Sequence, residues 1–303
     1  MSALNNLVLA TLPYIPRPLM RRLASRYIAG ETLDEALAKL AELARRGHPG
    51  ILDILGEGIT SEAEAREVMA AYKSAATRLA ERKLDAYVSV KPTHLALTLS
   101  ESLCLALYGE LARHCRELGI FMRVEMEDHP TTDATLRVFE ALRAQHDNVG
   151  IVLQSRLFRT PRDIDALKPG PLDVRMVKGI YLEPQSIAHT EAGPIRDAYV
   201  ECTRKLLARG ARVALATHDE HLAESCFALM REMHVEREGC DLEVLLGVRE
   251  ELWDAWKRDG RCVRVYVPFG PEWRAYSQRR LRKNPQILRH VMRDALGPRR
   301  RRA

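Results

Sequence analysis

The sequence predicts an α/β fold, a (β/α)8 barrel of the TIM type preceded by an N-terminal helical cap. Two observations carry that prediction. Eight short apolar runs recur along the chain, at 50–56, 87–91, 120–126, 149–154, 172–179, 211–218, 240–247 and 262–268, and segments of helical period separate them. Strands alternating with helices pair in parallel, and eight such units close into a barrel. The length of 303 residues suits one barrel domain.

The elements follow in order. The stretch ETLDEALAKLAELARRG (31–47) has helical period and is read as a cap outside the barrel proper, so residues 1–49 form the cap, 50–290 the barrel and 291–303 a basic tail. The first strand is GILDILG. After it comes SEAEAREVMAAYKSAATRLAERK (61–83), a helix announced by the capping pattern Ser61-x-x-Glu64. The strands YVSVK, IFMRVEM, VGIVLQ, LDVRMVKG, ARVALATH, CDLEVLLG and CVRVYVP succeed one another with helices between. Apolar residues make up 46% and charged residues 29%, the balance of a globular chain, and no stretch reaches the length of a membrane-spanning helix.

Six scattered cysteines with no CxxC pair read as reduced core thiols of a cytoplasmic protein, and no metal site is expected. The net charge of +6 owes much to Arg299–Arg302 in the tail, which reads as a solvated terminus rather than a nucleic-acid contact.

Barrels of this kind place their sites at the C-terminal ends of the strands. There the sequence offers Glu57, Lys91, Glu125 with Glu127 and Asp128, Gln154, Arg175 with Lys178 and Tyr181, His218 with Asp219, Asp241 with Glu243, and Tyr266. Charges gathered on one rim are costly unless a ligand or partner compensates them. Past the last strand, Tyr276 shares a helical neighbourhood with Arg279 and Arg280. Two adjacent guanidiniums gain most from a shared anion, so a small carboxylate is the expected ligand.

With those residues in place, YVPFGPEWRAYSQRRL resembles the C-terminal signature of the proline dehydrogenase family. VSVKPT, EMED, VLQS, VRMVKGIYLEP and ATHD resemble that family's motifs in the same order, and the likeness runs from about residue 30 to 290, with the size of the short monofunctional bacterial members. The resemblance implies oxidation of L-proline to 1-pyrroline-5-carboxylate with electrons passed through FAD, or FMN in its place, to a quinone. It implies that Arg279, Arg280 and Lys91 hold the substrate carboxylate and that Tyr266 and Tyr276 wall the ring. It also implies that Glu57 pairs with Arg279 as a gate, and that Arg175 lies beside the reactive flavin nitrogen. Glu125, Met126, Gln154, Lys178, Gly179, Thr217 and His218 would line the cofactor. A downstream pyrroline-5-carboxylate dehydrogenase and a peripheral contact with the inner membrane are the partners such a protein would have.

This chain departs from the family pattern at Glu125, Ser155-Arg156, Glu243, Leu246 and Lys283. The acid at 243 and the base at 283 are expected either to compensate each other or, with Lys283 pointing into water, to be independent changes. Two other readings stay open: a Schiff-base lyase using Lys91 or Lys178, and a non-enzymatic descendant that binds flavin or proline.

Overall fold

The computed structural model describes residues 20–21, 24–236, 240–274 and 276–277. Eight parallel strands close in sequence order: β1 (Gly50–Ile54), β2 (Ala86–Val90), β3 (Met122–Val124), β4 (Val149–Gln154), β5 (Asp173–Val177), β6 (Arg212–Ala216), β7 (Leu242–Leu245) and β8 (Val263–Phe269). All eight expected runs supply a strand. β8 returns to β1 with Tyr266 beside Ile51 and Pro268 beside Asp53, which completes the barrel.

Helices α1 (Leu33–Arg45), α2 (Glu62–Glu81), α3 (Glu101–Glu117), α4 (Thr132–Arg143), α5 (Thr160–Ala166), α6 (Ala192–Ala208), α7 (Glu220–Glu232) and α8 (Glu250–Arg258) surround it. α1 opens with a complete capping box, in which Thr32 and Glu35 exchange side-chain and backbone contacts. Its Leu37, Leu40 and Leu43 are buried in the same core as the strands, and it packs on β1 and β8. The helix expected as a cap outside the barrel is therefore a member of the outer ring, filling the place beside β8. α2 starts as its sequence predicts only in part. The Ser61 hydroxyl accepts from the Glu64 N–H at 3.3 Å, while the Glu64 carboxylate takes the N–H of Thr60 at 2.7 Å rather than that of Ser61.

Three buried tyrosines fasten helices to the upper ends of strands. The Tyr72 hydroxyl of α2 donates to Ser89 O at 3.0 Å, that of Tyr108 in α3 to Val90 O at 2.7 Å, and that of Tyr199 in α6 to Met176 O at 2.7 Å. Each is buried against apolar neighbours, so its hydroxyl needs a partner, and the strand carbonyl supplies one. These bonds fix the strand ends that carry the polar side chains described below.

The barrel interior is unusual for its class. Instead of layers of branched aliphatic residues, it holds Tyr87, Ser89, Arg123, Arg175 and Glu243, all buried. Gly150 makes room for one of them: a Cβ there would lie 2.6 Å from Arg123 Nη1 and 2.7 Å from Asp173 O.

Candidate active site

Two layers of charge occupy the barrel. At the N-terminal end, acids and bases alternate from strand to strand. Arg264 reaches Asp85 at 3.0 Å and Asp241 at 3.5 Å; Arg212 reaches Asp241 at 2.7 Å and Asp173 at 3.0 Å; Arg123 reaches Asp173 at 2.6 Å. Arg123, fully buried, links this layer to the next, lying 3.8 Å from Glu243 and over the rings of Phe121 and Tyr87.

Above it sits Arg175, at the middle of β5. Its Nε donates to Glu243 of β7, its Nη1 to Glu125 just past β3, and its Nη2 to the Tyr87 hydroxyl of β2 at 2.9 Å. The Tyr87 hydroxyl in turn donates to Glu243 at 2.5 Å, and Tyr266 donates to Glu125 at 3.2 Å. Burial works against ionisation of Glu125, but Arg175, the Ser89 hydroxyl and Lys91 outweigh it and hold the carboxyl below its ordinary value. Burial likewise disfavours the charged form of Arg175, and the carboxylate of Glu243 overcomes it, raising the guanidinium well above its ordinary value.

Lys91, immediately after β2, donates to both oxygens of Asp53 on β1, at 2.9 and 3.2 Å. Burial alone would neutralise Lys91, yet the Asp53 charge beside it raises its pKa. Burial also raises Asp53 despite Lys91. The two short contacts favour the ion pair over the neutral one.

The rim continues with Glu127, whose carboxylate accepts from the backbone and hydroxyl of Thr93 at 2.9 and 2.8 Å, and whose carbonyl accepts from Gln154 Nε2 at 2.5 Å. The Gln154 side-chain oxygen is buried and has no hydrogen-bond partner among the described residues. Gly179 stands against it at φ +95°, and a Cβ there would come within 2.6 Å of that oxygen, so only glycine fits. Lys178 and Arg196 each reach Asp219 at 2.6 Å. Burial opposes ionisation of Asp219, but those two cations win and bring its carboxyl down to about 2. Thr217 accepts the Asp219 N–H at 3.0 Å, and His218 Nε2 accepts the Leu245 N–H at 2.9 Å, which ties the end of β6 to β7.

The structure thus gathers Lys91, Glu125, Met126, Gln154, Arg175, Lys178, Gly179, Thr217, His218 and Tyr266 at or just below the C-terminal end of one barrel. Glu57 lies exposed in the loop after β1, and Tyr276 is half-buried one turn past β8. Arg279, Arg280 and Lys283 lie outside the described residues. The partner expected for Glu243 was Lys283, which falls outside the described residues; within them the Glu243 carboxylate meets Arg175 and Tyr87. Asp53, Tyr87 and Arg123 escaped the sequence reading. Their signal was present, since a charge amid an apolar strand such as GILDI is costly unless something buried pairs with it.

A closed eight-stranded parallel barrel with buried, paired cations beneath its mouth defines a protein of the TIM-type (β/α)8 class. Comparison with known proteins makes this particular. The family model described as proline dehydrogenase matches residues 36–293, and the chain belongs to that family. It is an oxidoreductase of proline catabolism. A proline dehydrogenase of Deinococcus radiodurans is 31% identical over 294 residues, covering 93% of each chain. Proline dehydrogenase 1 of Bacillus subtilis strain 168 is 29% identical over 273 residues, covering 90% of each. Among solved structures, proline utilization A from Bdellovibrio bacteriovorus, inactivated by N-propargylglycine, superposes with a TM-score of 0.80 at 24% identity and shows the same fold. That alignment covers 91% of this chain and 34% of the other, so this chain spans about a third of the proline utilization A chain.

Proposed function

We propose that the protein is a flavin-dependent proline dehydrogenase that binds FAD at the mouth of the barrel, oxidises L-proline to 1-pyrroline-5-carboxylate and delivers the electrons to a quinone. The observation that carries this reading is the pairing of a cationic centre under the mouth, Arg175 and Lys91, with the buried oxygen of Gln154, which has no partner among the described residues. The oxygen and the glycine pressed against it fit a flat heterocycle that presents an N–H to that edge. Gln154, Lys178, Gly179, Thr217 and His218 would hold the cofactor, with Glu125 and Met126 beneath. When bound, the flavin supplies the two-electron acceptor.

The protein's own residues do the positioning. An ammonium has three N–H groups, and Asp53 takes two contacts from Lys91, which leaves a donor for the substrate carboxylate. Arg279 and Arg280 would complete that clamp, with Glu57 closing over Arg279. Tyr266, held by Glu125, and Tyr276 would flank the substrate ring.

The Schiff-base alternative is disfavoured by the same contacts. A nucleophilic lysine must shed its proton near neutrality, whereas Asp53 raises Lys91 and Asp219 holds Lys178 in an ion pair. Among the described residues no helix is long and apolar enough to cross a membrane.

The test is the visible spectrum of the purified protein before and after L-proline under anaerobic conditions. A flavin band that bleaches supports the reading. A protein that carries flavin and keeps its band through prolonged incubation with proline would be the non-enzymatic binder instead, and one that retains no flavin would contradict both.

A further inference from the structure

Arg175 meets two carboxylates, Glu243 and Glu125, rather than one. Both acids are on its own level of the barrel, and the Tyr87 hydroxyl closes the third side. Charges in this layer cancel: Arg175 and Arg123 against Glu125 and Glu243. Glu243 is the acid common to both arginines, since it bonds Arg175 and lies 3.8 Å from Arg123. Interactions of this kind are strong where water is excluded, and Glu243 and Arg175 are each under 5% exposed.

We propose that Glu243 is a positioning residue that offsets the charge of Arg175 and thereby sets the reduction potential of the bound flavin. The inference rests on the reading that Arg175 lies beside the flavin. A free guanidinium there would favour the reduced, negatively charged cofactor. The carboxylate of Glu243 weakens that field, because it is bonded to Nε of the same group and cannot rotate away: the Tyr87 hydroxyl holds its other oxygen. Glu243 therefore makes the flavin a poorer oxidant than Arg175 alone would, and a better donor to the next acceptor.

The consequence is measurable in the flavoprotein without turnover. The midpoint potential of the bound flavin, read against a reference dye at fixed pH, should rise in Glu243→Gln. The expected change is about tenfold in the equilibrium constant for two-electron reduction, which is about 30 mV. Glu243→Asp, which keeps the charge, should recover more than half of that change. A purely structural role would lower the denaturation midpoint of the flavin-free Glu243→Gln protein and leave the potential where it was. A change smaller than threefold in Glu243→Gln, or an Asp variant no closer to the unmodified protein than the Gln variant, overturns the proposal. If Glu243→Gln does not fold, Tyr87→Phe decides: removing the hydroxyl that holds the Glu243 carboxylate against Arg175 lets it turn away, so the potential should rise, and an unchanged or lowered value overturns the proposal. Failure of the unmodified protein to bleach with proline would sink the functional reading; bleaching with coincident potentials would sink this inference alone.

Discussion

The two ends of the barrel are built from the same side chains, arginines and carboxylates, yet they are arranged to opposite effect. At the N-terminal end Asp85, Arg264, Asp241, Arg212, Asp173 and Arg123 alternate in sign, so each acid lies between or beside bases. At the mouth the pairing is incomplete by design of the strands. Lys91 keeps one N–H beyond its two contacts with Asp53, and Gln154 carries a buried oxygen with no partner among the described residues. The difference teaches that charge in a barrel is not by itself a sign of a site. A run of ion pairs that alternates in sign from strand to strand supports the barrel, whereas polar groups left with capacity at the mouth are the places where a ligand is accommodated.

The largest effect should come from the residue joining the two layers. Arg123→Met leaves the buried Glu243 and the part-buried Asp173 without their common cation, and should destabilise the flavin-free protein by about 3 kcal/mol in denaturant unfolding. A loss below about 1 kcal/mol would show that the layers are independent.

Next is a pH dependence at the mouth. His94 lies in the turn after β2, 7% exposed, and burial, then Lys91, brings its pKa down to about 4. The unfolded chain binds the proton at about 6.5. Between those values the unfolded state carries more protons, so stability is complete above about pH 6.5 and is lost as pH falls towards 4. Asp219, brought down to about 2, acts mainly below that window, whereas Glu127, raised above its ordinary value by burial, acts within it with the opposite sign. His94→Gln should flatten the stability profile between pH 6.5 and 4 by at most about 3 kcal/mol. An unchanged slope there would contradict the burial of that imidazole.

Smaller again is Arg212→Met in the lower ring. Its side chain is 41% exposed, so the expected loss is about 1 kcal/mol, with flavin content unchanged. Ser61→Ala, which removes one cap from α2, should cost about 0.5 to 1 kcal/mol in the same unfolding experiment. If Ser61→Ala proved the costlier of the two, the ring would be contributing nothing beyond solvation.

Much of the fold was legible in the chain because parallel strands buried on both faces read as continuous apolar runs. VGIVLQ and LDVRMVKG show this plainly, the first being buried at every position of β4. The place of α1 was not legible, since an amphipathic helix before the first strand can cap a barrel or join its wall. Its contact with β8 depends on closure between residues more than 200 positions apart. The rim residues could be found from strand ends alone. Their pairing could not: Arg175 meets Tyr87 and Glu243 across 88 and 68 residues, and only the register of the closed barrel brings them level. Glu243 shows the limit best, because only the closed barrel delivers it to Arg175.

The central claim, that the mouth binds and the lower ring only supports, is tested most directly by titrating two variants with a non-oxidisable ring carboxylate and following the flavin spectrum. Lys91→Met removes the donor kept for the ligand carboxylate; Arg212→Met removes a cation of equal charge at the other end. The account predicts that Lys91→Met weakens binding by about ten- to a hundredfold, the value of one charge-assisted hydrogen bond, while Arg212→Met stays within about twofold of the unmodified protein. Equal losses in the two variants would contradict it, since the ligand would then be responding to the barrel's total charge rather than to the residues at its mouth.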